Sequence, residues 1–301
     1  MPLWIPLTLG AAFFQNLRSA LQRHLVGDLS TAAASAVRFI FGLPFALVYL
    51  CILIVVLGEP LPRPEAVFFG YAVAGGLAQI LGTVLLVTSV SRGNFVVGTT
   101  YSKTEPMQTA LFGLVLVGDS LSAQAVVAIL ASAVGVAIVS TARSGGLRSI
   151  VSAGVFNTTA LAGLAAGSGF GVAAVCYRGA SLSLTSDSSF VAAATTLVWV
   201  LAIQSLLVSA WLVVREPGQF RAIGRHFASS TATGFAGMVA SVGWFTAMTL
   251  ERAAYVRALG QMELLFALAA SYLFFGERTR PAELLGVALV MGALVALVTA
   301  N

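Results

Sequence analysis

The sequence predicts an all-α polytopic membrane protein with ten transmembrane helices, built as two inverted five-helix repeats around a central cavity. Three observations predict this fold class: the composition, a series of long apolar segments and an internal repeat. Of the 301 residues, 58% are hydrophobic and 9% are charged, whereas charged residues make up about a quarter of a typical soluble domain. Because a spanning helix needs about 20 mostly apolar residues, the chain has room for about ten spans with short loops.

The composition also excludes other classes of protein. The net charge of +5 comes from arginines at the ends of apolar runs, so no nucleic-acid partner is expected, and the excess suits loops beside an anionic membrane leaflet. Cys51 and Cys176 both lie inside apolar runs and predict neither a disulfide framework nor a thiolate metal site. The N-terminal segment lacks a basic start, so we interpret it as a first span rather than a cleaved signal.

Ten apolar segments are separated by turn formers and charged residues, as expected where the backbone leaves the hydrocarbon. We call them spans 1 to 10, and they cover about 3–25, 31–57, 66–90, 94–117, 122–142, 155–181, 188–214, 230–250, 253–275 and 281–300. No loop is long enough to fold as a soluble domain. The function is therefore expected to reside in the spans.

The internal repeat is clearest in spans 4 and 9. Glu105 and Asp119 are 14 residues apart, Glu263 and Glu277 are also 14 apart, and one offset of 158 relates both pairs. The offset places spans 1–5 on spans 6–10 and predicts a first repeat at 1–142, a linker at 143–152 and a second repeat at 153–301. Because five is an odd number, the second repeat enters the membrane from the opposite side, an architecture that recurs in secondary transporters.

Helix packing and orientation can be predicted from small and basic residues. Ala131 and Gly135 in span 5, and Ala288 and Gly292 in span 10, predict two surfaces of close helix approach.

The positive-inside rule places the termini outside, because eleven arginines are assigned to the loops after the odd-numbered spans and the entry of span 2, against four on the other side. The four are Arg63, Arg178, Arg252 and Arg257, and the eleven are Arg18, Arg23, Arg38, Arg92, Arg143, Arg148, Arg215, Arg221, Arg225, Arg278 and Arg280.

The duplicated five-helix unit, Arg38-Phe39 at the start of span 2 and the Gly-acid ends of spans 4 and 9 (Gly118-Asp119, Gly276-Glu277) resemble the drug/metabolite transporter superfamily, in its ten-helix EamA-type branch. The resemblance covers essentially the whole chain. It implies a multi-pass bacterial inner-membrane transporter, and many such members export amino acids, the YddG-type aromatic amino acid exporters among them. Members commonly have cytoplasmic termini, which conflicts with the arginine count and leaves the orientation open. The chain departs from the family pattern at Asp119, where Glu is usual, and between spans 2 and 3, where only Arg63 remains of a basic cluster.

Charged residues within spans are the first candidates for a site, because a charge at the bilayer centre costs about 2.5–3.5 kcal/mol on insertion scales. Lys103, Glu105 and Glu263 are such residues. On a regular helix Lys103 and Glu105 lie about 200° apart and cannot face one pocket, unless Pro106 interrupts the helix. Gln261 aligns with Lys103 at the repeat offset. Each acid is interpreted either as a substrate or proton site or as a structural ion-pair partner between helices.

Uncharged polar residues within spans complete the predicted substrate site. Tyr101, Glu105 and Gln108 share one face of span 4 by helical spacing. Others that would hydrogen-bond a small zwitterion and stack on its side chain are Gln15, Asn16, Gln79, Tyr177 and Trp244. The alternative for each of them is hydrogen bonding between helices. No catalytic, metal-binding or cofactor motif is present, so neither metal nor cofactor is expected.

The sequence therefore predicts a secondary transporter that is not an enzyme and that works by alternating access. Its expected cargo is a small polar or amphipathic metabolite, with export of aromatic and other neutral amino acids as the leading case. The alternatives are export of drugs, nucleosides or sugars, an intramembrane enzyme, and a structural subunit. The expected partners are the small-molecule substrate, membrane lipids and protons, and the expected functional state is a monomer.

Overall fold

A computed structural model of the chain describes residues 1–92, 95–142, 158–275 and 280–299, and these residues form helices and no strand. The prediction of an all-α fold is confirmed. The helices are α1 (Trp4–Leu25), α2 (Thr31–Ile40), α3 (Gly42–Leu57), α4 (Ala66–Arg92), α5 (Phe95–Ser102), α6 (Glu105–Leu116), α7 (Ala123–Ala142), α8 (Thr158–Leu182), α9 (Ser189–Arg215), α10 (Gln219–Arg225), α11 (Phe227–Leu250), α12 (Ala253–Leu259), α13 (Met262–Phe275) and α14 (Pro281–Val298).

Seven stretches of the described residues are long and apolar enough to cross a membrane. They correspond to predicted spans 2, 3, 5, 6, 7, 8 and 10. Helix α1 has 22 residues, but its second half carries Gln15, Asn16, Arg18 and Arg23, and it is not among the seven. Large apolar side chains such as Val55 and Val56 on α3 are exposed, as expected for a surface that faces lipid. The full count of ten spans stays a prediction.

Two predicted spans are broken in the structure. Span 4 (94–117) consists of α5 and α6, an interruption that Pro106 had left open. Span 9 (253–275) was expected as a continuous helix, and this expectation is wrong, because it consists of α12 and α13. The breaks fall at Lys103-Thr104 and Gly260-Gln261, which are equivalent within one residue at the repeat offset. Pro106 in the first turn of α6 has no N–H to donate to the carbonyl of Ser102, and Gly260 is a weak helix former.

The ends of two spans match the predicted turns. Gly118 adopts a left-handed φ of 75° just after α6, and Gly58 adopts a φ of 67° just after α3. Glycine tolerates this backbone conformation, which commonly terminates a helix. The corresponding end of span 9, at Gly276-Glu277, lies outside the described residues, as does the predicted linker at 143–152.

The chain divides into two compact units. The first unit comprises residues 1–76 and 177–251, and the second unit comprises residues 77–176 and 252–301. Each unit therefore takes helices from both predicted repeats. The repeat boundaries themselves, at 142 and 153, stay a prediction.

In the first unit, α1 packs along α11. A Cβ atom placed on Gly243 of α11 would lie 2.8 Å from the carbonyl oxygen of Leu7 on α1, so only glycine permits this approach. Next to this pair, an apolar cluster joins the turn between α1 and α2 to α9 and α10 through Leu25, Val37, Leu212 and Ile223. This packing fixes the helices that carry Gln15, Arg18, Arg38 and Trp244.

In the second unit, α7 packs along α14. A Cβ on Gly135 would lie 2.9 Å from the carbonyl oxygen of Gly286, and a Cβ on Gly286 would lie 2.8 Å from that of Gly135. The prediction for Gly135 was right in placing it at a close contact, but the prediction for span 10 was wrong. Gly292 has no atom within 4 Å of its Cβ position, and it lies on the exposed face of α14 with Ala288.

The arginine count does not decide the orientation. Nine of the arginines that were assigned to loops lie within helices, among them Arg18 in α1, Arg38 in α2, Arg178 in α8 and Arg257 in α12. The positive-inside rule concerns charges in short loops and near the ends of spans. The location of the termini therefore stays open.

Candidate functional site

The second unit holds four charged residues at the ends of its broken helices. Glu105 is the first residue of α6 and Glu263 lies in the first turn of α13. Arg257 lies in the last turn of α12, and Lys103 follows α5 directly. A helix carries partial positive charge at its N-terminus and partial negative charge at its C-terminus. Each acid and each cation is therefore placed where the backbone dipole stabilises its charge.

These four residues form two ion pairs that join span 4 to span 9. The Nε of Arg257 donates a hydrogen bond to Oε1 of Glu105, and the Nζ of Lys103 donates one to Oε1 of Glu263. Arg257 also interacts electrostatically with Glu263. In each pair the acid begins the second half of one span and the cation belongs to the end of the first half of the other. The two breaks are thus tied together reciprocally.

The two pairs differ in burial. The side chain of Glu105 is 7% exposed and that of Arg257 20%, whereas the side chains of Glu263 and Lys103 are 19% and 28% exposed. Electrostatic attraction is stronger where less water screens it. The Glu105–Arg257 pair is therefore the tighter tie, and the Lys103–Glu263 pair is the more accessible one.

The interhelical ion pair was one of the two alternatives that the sequence offered for Glu105 and Glu263, and the structure has this arrangement. Because the helix is interrupted next to them, Lys103 and Glu105 both reach span 9, where each binds a different partner. Tyr101 belongs to α5 and Glu105 and Gln108 belong to α6, so the three residues do not lie on one uninterrupted helix, and their shared face stays a prediction. A role in binding substrate or a proton stays a prediction for all of these residues.

The broken span 4 packs closely against a stripe of glycines on α8, formed by Gly163, Gly167 and Gly171. A Cβ on Gly167 would lie 2.9 Å from the carbonyl oxygen of Ser102, at the break itself, and a Cβ on Gly163 would lie 2.6 Å from the carbonyl oxygen of Gly98. Beside the stripe, Ser168 Oγ donates to Gln108 Oε1 at 2.6 Å, and Gln108 Nε2 donates to Thr104 Oγ1 at 2.8 Å. The spacing of four residues in this stripe was a readable signal that the sequence interpretation missed.

Gln261 lies in the break of span 9 and is 4% exposed. Its Oε1 is buried and accepts no hydrogen bond from the described residues. An amide oxygen without a donor is costly to bury. The break of span 9 therefore presents an acceptor next to charged groups, which a donor group on a bound molecule can satisfy.

In the first unit, the predicted site residues Gln15, Tyr177 and Trp244 form hydrogen-bonded contacts. The indole N–H of Trp244 donates to Gln15 Oε1 at 3.0 Å. The hydroxyl of Tyr177 donates to the carbonyl of Gly75 and accepts from Gln204 Nε2, both at 3.2 Å, and its ring stacks on Phe245 with centroids 4.6 Å apart. Gln204 was missed because a single glutamine in an apolar segment carries no distinguishing pattern.

Three further predicted site residues lie on α1, α4 and α5. Asn16 on α1 belongs to the first unit, and Gln79 on α4 and Tyr101 on α5 belong to the second. All three are half-buried. Their assignment to a substrate site stays a prediction.

Arg178 has a structural role that the sequence interpretation missed. Its guanidinium donates to the carbonyls of Met248 and Glu251, both at 2.7 Å, and to that of Thr249 at 3.4 Å. These are the last carbonyls of α11, which lack partners within the helix. Arg178 thus caps the C-terminus of α11, and it is not a free loop charge.

Comparison with known proteins gives three results. One chain of known crystal structure aligns over 97% of this chain and 94% of its own length, with a TM-score of 0.70 and 16% sequence identity, so it shows the fold alone. No curated protein matches the sequence. The model of the EamA-like transporter family matches residues 2–141 and residues 157–299. Since these two matches together cover nearly the whole chain, the protein belongs to the EamA-like transporter family.

Proposed function

We propose that this member of the family is a secondary transporter that exports small amphipathic metabolites by alternating access, with neutral and aromatic amino acids as the leading substrate class. One observation carries the proposal: two broken spans, equivalent in the repeat, are tied together at their breaks by reciprocal ion pairs. Discontinuous helices recur at the substrate and ion sites of secondary transporters, because the interrupted backbone offers polar groups near the bilayer midplane.

The breaks supply the chemistry that an amino acid requires. Glu105 and Glu263 are acceptors for an ammonium group, Lys103 is a donor for a carboxylate, and the buried Oε1 of Gln261 accepts a further hydrogen bond. A substrate that displaces one partner of an ion pair exchanges one charge-assisted contact for another. Binding can thus loosen the tie between spans 4 and 9 without leaving a charge unsatisfied.

Proton coupling is part of the proposal. Protonation of Glu263 or Glu105 removes the negative charge from its pair and leaves only a weaker hydrogen bond to Lys103 or Arg257. Glu263 is the more accessible of the two acids, so it is the first candidate for the coupling proton. A proton and a substrate ammonium group would then compete for the same carboxylates.

The first unit contributes aromatic and amide groups to the proposal. Trp244 with Gln15, and Tyr177 with Phe245, present flat apolar rings beside hydrogen-bonding groups, which suits a small amphipathic molecule. The full proposed substrate set is Gln15, Asn16, Gln79, Tyr101, Lys103, Glu105, Gln108, Tyr177, Trp244, Gln261 and Glu263. Location in a bacterial inner membrane, a YddG-type substrate range and action as a monomer belong to the same proposal.

The test is flux into proteoliposomes of radiolabelled amino acids, sugars, nucleosides and drugs, with and without a pH gradient. Wild-type protein is expected to move amino acids and to respond to the gradient, and Glu263→Gln is expected to lose that response. Arg23→Gln, an exposed change on α1, serves as the control. Flux of sugars or nucleosides but not amino acids would overturn the substrate class. A gradient response that Glu105→Gln and Glu263→Gln both keep would remove the proton role.

A further inference from the structure

Two arginines in the first unit meet at one glycine. A Cβ on Gly237 of α11 would lie 3.2 Å from Cδ of Arg18 on α1 and 3.6 Å from Cβ of Arg38 on α2. The Nε atoms of both arginines are buried, and the two side chains interact electrostatically. We call Arg18 and Arg38 the arginine pair. Three helices therefore bring two like charges together within the apolar part of the unit.

The arginine pair lies at one depth in the α1–α2 hairpin. Arg18 is seven residues before the end of α1, and Arg38 is seven residues after the start of α2. At a rise of 1.5 Å per residue, both lie about 10 Å from the connecting turn. Cations at such a depth are costly, and two adjacent cations repel each other. An anion bound between them would offset both costs.

The charges of the first unit are arranged in a way that favours such an anion. All residues of this unit are described, and its acidic residues all lie outside its helices, at Asp28, Glu59, Glu65, Asp187, Glu216 and Glu251. Its helices carry arginine and histidine but no acidic residue. The interior of the unit therefore has a positive electrostatic potential, which attracts anionic groups.

Amphipathic groups lie next to the pair on the same two helices. Gln15 is three residues from Arg18 on α1, and Trp244 is seven residues from Gly237 on α11, so both lie on the faces that α1 and α11 share. They are hydrogen-bonded to each other. Arg38 also interacts electrostatically with Tyr177. A bound molecule with its anionic group at the arginine pair would place an apolar body against Trp244 and Tyr177.

We propose that the arginine pair binds the carboxylate of the transported molecule, so that the substrate class is organic acids with an apolar or aromatic body, whether or not they carry an ammonium group. The inference rests on the proposed function, since it assigns the substrate of that transporter. Guanidinium groups bind carboxylates through two parallel hydrogen bonds. Two arginines can thus saturate both carboxylate oxygens, and a matched amine without the carboxylate gains nothing from them.

The test uses three probes of one shape: phenylalanine, 3-phenylpropionate and phenethylamine. Their binding to the purified protein is measured by the rise in thermal unfolding temperature with probe concentration. Phenylalanine and 3-phenylpropionate are expected to stabilise the wild type more than phenethylamine does, because the amine has no carboxylate for the arginine pair to bind. Arg18→Gln and Arg38→Gln are each expected to weaken carboxylate binding at least about tenfold, the effect of losing one charge-assisted contact. Arg38→Lys keeps the charge and is expected to bind with intermediate affinity.

The control is Arg23→Gln, which removes an exposed arginine from the same helix and is expected to bind like the wild type. The inference is overturned if phenethylamine binds as well as 3-phenylpropionate, if neither carboxylate stabilises the wild type, or if both Gln variants bind normally. The unfolding temperature without probe shows whether each variant folds. Carboxylate binding without flux in proteoliposomes would refute the proposed transport and leave this site standing, whereas flux restricted to amines would do the reverse.

Discussion

The two units of the molecule handle charge within their helices in opposite ways. In the second unit, Glu105 and Glu263 are each matched by a cation, and both pairs lie at helix breaks. In the first unit, the helices carry arginines such as Arg18 and Arg38, and every acidic residue lies in a loop. The charges at the helix breaks of the second unit are thus paired with one another, whereas the charged residues in the helices of the first unit are all basic.

This difference indicates a division of roles. Charges that are already paired across two broken helices hold those helices in position, and a change in one pair alters how they are held. Charges of one sign can be balanced by a molecule that comes from outside. We therefore assign the conformational change of spans 4 and 9 to the second unit and recognition of an anionic group to the first.

The largest effect is expected from breaking the tighter pair. Glu105→Gln removes the buried carboxylate that accepts the hydrogen bond of Arg257 and leaves only the attraction of Glu263, and breaking such a pair costs up to about 3–5 kcal/mol of unfolding free energy. The double variant Glu105→Gln with Arg257→Gln is expected to be more stable than Glu105→Gln alone, because no buried charge is left over. The measurement is denaturant unfolding in detergent. Equal stability of Glu105→Gln and the wild type would show that the pair does not hold the breaks.

A smaller effect is expected from the close helix contacts within each unit. Gly243→Ala in the first unit and Gly286→Ala in the second force a methyl group against a backbone carbonyl, and overpacking of this kind costs about 1–3 kcal/mol. The matched controls are Gly10→Ala on α1 and Gly292→Ala on α14, which have open space at the Cβ position.

The controls are expected to stabilise the protein by about 0.5–1 kcal/mol, since alanine is the better helix former. Thermal unfolding of the four variants measures both effects. If the variants at Gly243 and Gly286 behave like their controls, the close helix contacts are not as described.

The smallest effect is expected in the uncharged network of the first unit. Tyr177→Phe removes the hydroxyl that donates to Gly75 and accepts from Gln204, and a net loss of about 1 kcal/mol follows from one buried hydrogen bond. Tyr49→Phe on α3 is the control, because that hydroxyl makes no hydrogen bond in the unit. If Tyr177→Phe lost as much unfolding free energy as Glu105→Gln, neutral and charged contacts would contribute equally. The proposed difference between the two units would then be contradicted.

Much of the fold could be predicted from the sequence because lipid imposes simple rules. Apolar segments of about 20 residues and turn-forming breaks located the spans. Gly135 was found because small residues permit close packing, but Gly292 was chosen over Gly286 because spacing alone does not tell which face of a helix meets its neighbour. The acids within spans 4 and 9 were found because ionisable residues are rare there.

The contacts of the site could not be predicted, because they join residues far apart in the chain. Glu105 and Arg257 are separated by 152 residues and Lys103 and Glu263 by 160, so only the folded structure brings them together. The break of span 4 was one of two alternatives that Pro106 left open, whereas the break of span 9 was missed. Pro106 is compatible with the first turn of a new helix as well as with a kink, and Gly260 occurs in an otherwise regular apolar segment.

The central claim is that spans 4 and 9 work through their reciprocal ion pairs, and its most direct test is a charge exchange at the accessible pair. Flux of a substrate that the wild type carries is measured for Lys103→Glu, for Glu263→Lys and for the two combined. Each single variant places like charges together and is expected to lose most of its flux. The combined variant restores attraction but opposes the helix dipoles, by about 0.3–1 kcal/mol each, so partial recovery is expected. Full flux in either single variant, or no recovery in the combined one, would contradict the claim.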